Sequence, residues 1–286
     1  KRFKCIADKC THICCIGWEI DIDSETLEKY KGLRGGYGEG IIKSVSLEDA
    51  PHFKLGAHDR CPHLDESGLC NIILNVGEEY LCTICREHPR FYNYTSVAEV
   101  GLGMSCIDAA RLILSSPDYD IQEELGEVEA YEDEGLFDCR AERQKIYGIL
   151  RNEGASYTTR LAEIYREYGI EAGAESEWLE KISRLEYLDN AHKSLFLGYS
   201  ANKRPEGKDV LLERALAYFI YRHLTEAFDT EDFVARLAFC LFLERLLASL
   251  IVSHGAKTLQ EIAKLASIVS EEIEYSEQNT EALMYC

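Results

Sequence analysis

The sequence predicts a mainly α protein, in which a small irregular cysteine-rich, metal- or cluster-binding N-terminal region packs on a C-terminal helical bundle. Three observations carry that reading. Nine of the 12 cysteines in 286 residues fall between Cys5 and Cys106. From about residue 139 onward the apolar residues recur at helical spacing. The strand–helix alternation of a nucleotide-binding α/β sheet, with its glycine fingerprint, is absent.

These features divide the chain at 1–115, 116–138 and 139–286. The first part is turn-rich and holds Cys5, Cys10, Cys14, Cys15, Cys61, Cys70, Cys82, Cys85 and Cys106. The second contains Asp118–Asp138, with ten carboxylates and no lysine or arginine. It reads as a solvated connector with at most one helical turn, or as an acidic lip for a basic substrate. In the third part, 140–152, 157–168 and 176–188 have helical spacing, and Asn202–Gly207 (NKRPEG) is a loop. A helix is expected over 208–228. A start signal at Asp229–Asp232 opens the next, which runs to about His254 and stops at Gly255. A final long helix is expected over 257–275.

Composition narrows the function. The formal net charge is −20, from 31 Lys+Arg against 51 Asp+Glu. Such a chain is a poor binder of phosphate backbones and suits a basic partner, so no nucleic acid is expected. The first ten residues have no apolar signal core. The most apolar stretch, Phe233–Val252, carries Arg236, Glu244 and Arg245, which are costly in a bilayer. No membrane association is expected, and the compartment is read as cytoplasmic. There, cysteines usually serve metals or catalysis rather than disulfides.

The thiolate is the metal ligand, and a zinc ion or cluster needs about four converging sulfurs. Cys5, Cys10, Cys14 and Cys15 form one knot, and Cys61 and Cys70 a second around the His63 loop. Cys82-x2-Cys85, followed by Arg86, His88 and Arg90, forms a third, and Cys106 stands alone. The spacing matches neither a ferredoxin run nor a zinc ribbon. Cys139, Cys240 and Cys286 read as incidental, with Cys240 a core residue of an apolar helix.

The strings CIADKCTHICCIGWEIDID (5–23), CPHLDESGLCNI (61–72), NVGEEYLCTICREHPRFYNY (75–94) and LGMSCIDAARLIL (102–114) resemble the flagellin lysine-N-methylase family. That family sits within a broader group of zinc- or iron-chelating cysteine-cluster domains. ALAYFIYRHL (215–224) and IVSEEIEYSEQNTEAL (268–283) resemble its helical half. The resemblance implies methylation of flagellin lysines with S-adenosylmethionine as donor, and a 4Fe-4S cluster, with zinc as the alternative metal. It places the metal-binding positions on Cys5, Cys10, Cys14, Cys15, Cys61, Cys70, Cys85 and Cys106, and leaves Cys82 out. Eight positions exceed what one cluster needs. Either half are structural thiols or a second metal is present.

A lysine ammonium has no lone pair, so methyl transfer requires a neutral amine and a group to take its proton. Glu271, Glu274, Tyr275 and Asn279 are the catalytic candidates, because they share turns of the C-terminal helix. Glu274 and Asn279 also stand in the E-I-E-x-S-x-x-N string of the resemblance. Tyr218, Tyr221, Arg222, His223 and Arg86 are the cofactor-binding candidates, the arginine beside Cys85 offsetting cluster charge. The competing readings are a non-catalytic zinc- or iron-binding interaction protein and an electron carrier.

Overall fold

The computed structural model describes residues 3–10, 14–94, 97–117, 123–127 and 138–285. It divides into two compact units, one ending at Arg90 and the other beginning at Phe91. Strands β3 and β4 and helix α5, defined below, therefore belong with the helical unit, although sequence groups them with the cysteines.

The first unit is built of short pieces. Helices α1 (Ser24–Gly32) and α2 (Gly36–Ser44) lead into the two-residue strands β1 (Val45–Ser46) and β2 (His52–Phe53). Helices α3 (Asn71–Val76) and α4 (Thr83–Glu87) follow. Asp23 opens α1 by accepting the Thr26 amide at 2.9 Å, and its other oxygen accepts the Thr83 amide at 2.8 Å. One carboxylate thus caps α1 and ties it to the start of α4. Burial alone would raise that carboxyl, but these amide bonds hold it well below the carboxylate range. The core joins Tyr30, Ile41, Phe53 and Ile72 to Cys61 and Cys82, with Cys15, Cys70 and Cys85 packed against it.

The second unit opens with β3 (Arg90–Tyr94, whose first residue closes the first unit) and β4 (Val97–Leu102), followed by α5 (Ile107–Ser115). Strand β5 (Glu123–Glu127) completes a sheet of order β3-β4-β5, with β4 and β5 antiparallel. The acidic segment expected as a connector therefore contributes a strand, because β4 offers an edge to pair with. Residues 118–122 and 128–137 of that segment lie outside the described residues.

Helices α6 (Cys139–Leu150), α7 (Tyr157–Glu167) and α8 (Glu175–Arg184) fall where helical spacing predicts them. Helix α9 (Asn190–Phe196) was not foreseen. Helices α10 (Asp209–His223) and α11 (Thr230–Ser253) form the bundle's centre. Asp229 caps α11 by accepting the Asp232 amide at 2.8 Å, as the start signal implies. Most of α11 is buried around its whole circumference, which is why its sequence is apolar on every side. Three of its charges, Asp232, Arg236 and Glu244, are paired within the protein. Glu244 accepts from Arg204 at 2.7 Å and from Tyr157 at 3.1 Å, and Arg236 pairs with Asp232 at 3.0 Å. Among the described residues, no helix is long and apolar enough to cross a membrane.

The expected last helix is divided. Helix α12 (Leu259–Val269) starts at a capping box of Thr258 and Glu261. It gives way to a π-helical turn, Ser270–Glu274, and then to α13 (Glu277–Met284). Apolar spacing continues through the wider turn, so periodicity did not reveal the break.

Candidate functional sites in the two units

The π turn places Glu271, Glu272, Ile273 and Glu274 all in buried positions. Widening the helix by one residue per turn redirects neighbouring side chains, and such turns often mark functional sites. Glu272 accepts the Leu188 amide at 2.8 Å and pairs with His192 Nδ1 at 2.6 Å. Glu274 points the other way. Its Oε1 lies 2.7 Å from His223 Nε2 and 3.4 Å from Arg222 Nε, and its Oε2 accepts from the Tyr218 hydroxyl at 3.0 Å. That hydroxyl in turn accepts the Met104 amide at 3.1 Å.

Burial by itself would raise the Glu274 carboxyl. The Arg222 charge and the His223 hydrogen bond outweigh it and hold Glu274 below the usual range, as the anion. Burial lowers His223, so its imidazole is neutral near pH 7. Arg222 lies between two rings, 4.8 Å from the centre of Phe91 and 4.7 Å from that of Tyr275.

This group opens on a cavity of about 460 Å³ whose walls include Arg222, His223 and Glu274. Phe91, Tyr92 and Asn93 of β3 form another wall, and Glu277, Thr280 and Glu281 of α13 a third. Glu226, Arg236 and Tyr285 complete it. The arginines lie inside. Glu226, Glu277 and Glu281 are exposed at the rim.

The structure thus brings together Tyr218, Arg222, His223, Glu274 and Tyr275 from the sequence candidates. It sets the others elsewhere. Asn279 donates to the carbonyls of Glu186 at 2.7 Å and Glu272 at 2.6 Å, and accepts the Glu186 amide at 2.9 Å. Its amide is taken up in holding backbone. Tyr221 is buried beneath the Arg143 guanidinium, 4.9 Å away, and Glu271 does not line the cavity. Arg86 belongs to the other unit, half-exposed beside Glu87 and donating to Thr83 at 3.3 Å. Sequence reading missed Glu226, Arg236 and Asn93. The one signal for Arg236 was its i, i+4 spacing from Asp232.

The second site is the thiol group of the first unit. Cys82 Sγ stands 3.9 Å from Cys85 Sγ and 3.9 Å from the Tyr30 hydroxyl. The neighbouring Cys15, then burial, push the Cys14 thiol up, and His88 opposes them. Burial raises Cys61 to about 11 and raises Cys70 as well, and both are pushed further by the charge of Cys82. A hydrogen bond to Cys82, then burial, raise Cys85, with Cys15 and Cys61 adding to the effect. Cys14, Cys15, Cys61, Cys70, Cys82 and Cys85 therefore share one electrostatic neighbourhood. Cys82, left out by the resemblance, is inside it. Cys5 is exposed, Cys10 is half-buried, and Cys106 lies in the helical unit at the N-cap of α5.

Thiols this close suit a thiophilic metal, whose charge offsets what burial and mutual repulsion impose. The Cys82–Cys85 separation matches two sulfurs on one tetrahedral centre, about 3.8 Å for metal–sulfur bonds of about 2.3 Å. Among the described residues, however, no three His, Cys, Asp or Glu side chains already converge as a metal site. The fit lies in donor chemistry and in this one pair.

No family model matches the chain, and no solved structure does. Curated relatives exist. The flagellar biosynthetic protein FliU of Salmonella muenchen is 26% identical over 160 residues, covering 52% of this chain and 90% of that protein. Lysine-N-methylases of Salmonella typhimurium and Salmonella choleraesuis are each 27% identical over 129 residues. Those matches cover 41% of this chain and 31% of the methylases, so the chain matches under a third of their length. The family-level resemblance that the cysteine strings carry is thus supported by homologues named lysine-N-methylase.

Proposed function

We propose that the protein is a protein-lysine N-methyltransferase, moving methyl groups from S-adenosylmethionine to lysine side chains of flagellin. The observation that carries this is the cavity of the helical unit, acidic at its rim and lined within by paired charges and the His223 imidazole. Glu226, Glu277 and Glu281 attract a lysine ammonium. Inside, removal from water disfavours the protonated amine. His223, neutral and hydrogen-bonded to Glu274, is placed to accept the proton, and Glu274 stabilises the imidazolium that forms. The freed lone pair would attack the donor's methyl carbon as its bond to sulfur breaks, and the neutral thioether leaves.

The thiol neighbourhood supports a cluster dependence. Cys14, Cys15, Cys61, Cys70, Cys82 and Cys85 would hold the group, and the resemblance adds Cys5 and Cys10 from the same unit. A 4Fe-4S cluster held there would supply a binding point for the donor's amino and carboxylate groups.

The test is anaerobic incubation of iron-replete protein with methyl-labelled donor and flagellin, followed by mass spectrometry of the lysines. Label is expected on lysine, and His223→Asn should lower kcat more than it raises KM. Absence of label under reducing conditions rejects the proposal.

The Cys82–Cys85 spacing favours a second reading, a non-catalytic zinc- or iron-binding interaction protein. Colourless protein containing zinc and no sulfide, inert toward flagellin, would select it.

A further inference from the structure

Strand β3 stands at the end of the sheet order β3-β4-β5. One of its edges pairs with β4, and the other has no strand partner among the described residues. The cavity identifies what that edge faces. Consecutive residues of a strand point to opposite faces. A cavity lined by Phe91, Tyr92 and Asn93 in succession therefore meets the strand along its edge and not on one face. Across the cavity, Glu277, Thr280 and Glu281 lie at i, i+3 and i+4 on one side of α13. The space is a groove between a strand edge and an acidic helix face.

We infer that this groove receives an extended, lysine-bearing segment of the protein substrate, which adds to the sheet as a further strand beside β3. The inference rests on the methyltransferase reading and names how its substrate is held.

Three properties of β3 support it. The strand is fixed before anything binds. Asn93 donates to the Tyr221 carbonyl at 3.1 Å and to the Thr225 hydroxyl at 2.9 Å, and the Phe91 ring lies 5.7 Å from that of Tyr221. Edge strands normally deter pairing with charge, proline or a bulge, whereas β3 beyond its first residue, Arg90, carries no charge and no proline. Tyr92 and Tyr94 are stacked at 6.5 Å and exposed, a flat platform for the aliphatic stem of a neighbouring residue. The occupant follows from charge. Backbone pairing along the edge is indifferent to sequence, but the facing glutamates select a cation. A lysine directed away from β3 meets Glu277 and Glu281 first, then the cavity interior.

Overlapping lysine-bearing peptides spanning flagellin, titrated into the full chain by fluorescence anisotropy, test the inference. The tightest peptide is then methylated at one backbone amide at a time. The expected result is an alternation. Methylation at every second residue around the lysine weakens binding about tenfold or more, and the residues between tolerate it. Hydrogen exchange at the amides of 91–94 should slow in the complex, and the E277Q/E281Q double variant should lose the salt dependence of binding. Loss without the two-residue alternation overturns the inference. So does methylation of intact flagellin with no peptide bound, which leaves the enzymatic reading in place. Alternating binding with no methyl transfer supports the strand groove and overturns that reading instead.

Discussion

The two units handle buried ionisable groups in opposite ways. In the helical unit several buried carboxylates are paired with cations. Glu99 takes both its oxygens to Arg143 at 2.6 and 2.9 Å. Glu244 pairs with Arg204, Glu274 with Arg222 and His223, and Asp232 with Arg236. In the thiol unit the buried groups mostly face each other. Cys61, Cys70 and Cys85 are pushed up by burial and by neighbouring sulfurs, with only partial relief from Arg60 and local amides. The helical unit neutralises its own charges. Under the cluster dependence proposed above, a bound metal would supply the thiol unit with positive charge that its own side chains do not.

The largest expected effect follows from that contrast. Chelation of anaerobically purified protein should make the region up to Arg90 sensitive to protease, with the helical fragment surviving intact. Cys82→Ser and Cys85→Ser should each lower bound metal, measured by elemental analysis. Equal protease resistance with and without chelator would make the thiols ordinary core residues, and the two units would then differ less than their charges suggest.

Next in size is the removal of one internal partner in the helical unit. Glu274→Gln keeps the shape and removes the charge that faces Arg222. Stranding a buried guanidinium typically costs about 3 to 5 kcal/mol, read here from urea denaturation. Arg222→Met in the same chain should recover much of that loss, since no unpaired charge remains. Simple additivity of the two losses would show that Glu274 and Arg222 are not coupled. Activity separates a second role, because the double variant should fold and still fail to methylate.

A smaller effect is expected at Gly101, where β4 backs onto Phe91 and Tyr221. A Cβ there would lie 2.5 Å from the Phe91 ring and 2.7 Å from the Tyr221 ring. Gly101→Ala must displace both, at about 1 to 3 kcal/mol by the usual cost of overpacking. Because Phe91 carries one face of Arg222 and one wall of the cavity, KM for protein substrate should rise as well. A stability loss without any change in KM would detach the cavity from the sheet behind it.

The sequence shows the helices more clearly than the sites. Helices α6, α7, α8 and α11 follow apolar spacing closely, since one face or the whole surface of each is buried. The π turn at 270–274 escapes notice because its single apolar residue, Ile273, still follows Val269 at an ordinary helical spacing of four. Tyr218, Arg222, His223 and Glu274 were all candidates, but nothing in their spacing says that residues 51 to 56 positions apart meet at one carboxylate. Asn279 is singled out by the same string and proves to bind backbone, which a motif alone does not distinguish from catalysis. The strand in the acidic segment is illegible for another reason. Its pairing depends on β4, and charged residues such as Glu123 and Glu124 have low strand preference.

The smallest effect sharpens the comparison within the helical unit, where two histidines face glutamates with opposite consequences. The hydrogen bond to Glu272 raises His192, whose side chain is 22% exposed. Its contribution is therefore full below the ordinary histidine value of about 6.5 and fades as pH rises through the raised value. Burial lowers His223, so the native state holds it neutral. Its contribution is full above the ordinary value and fades as pH falls through the lowered one. Denaturation midpoints measured from pH 5 to 8 should show the two variants departing from the parent at opposite ends. His192→Gln should lose stability mainly on the acid side, by less than about 1 kcal/mol given its exposure. His223→Gln should reduce the parent's acid sensitivity. Departures at the same end would mean that the Glu274 anion governs His223 more strongly than burial does. The cavity would then hold an imidazolium, unable to accept the substrate's proton.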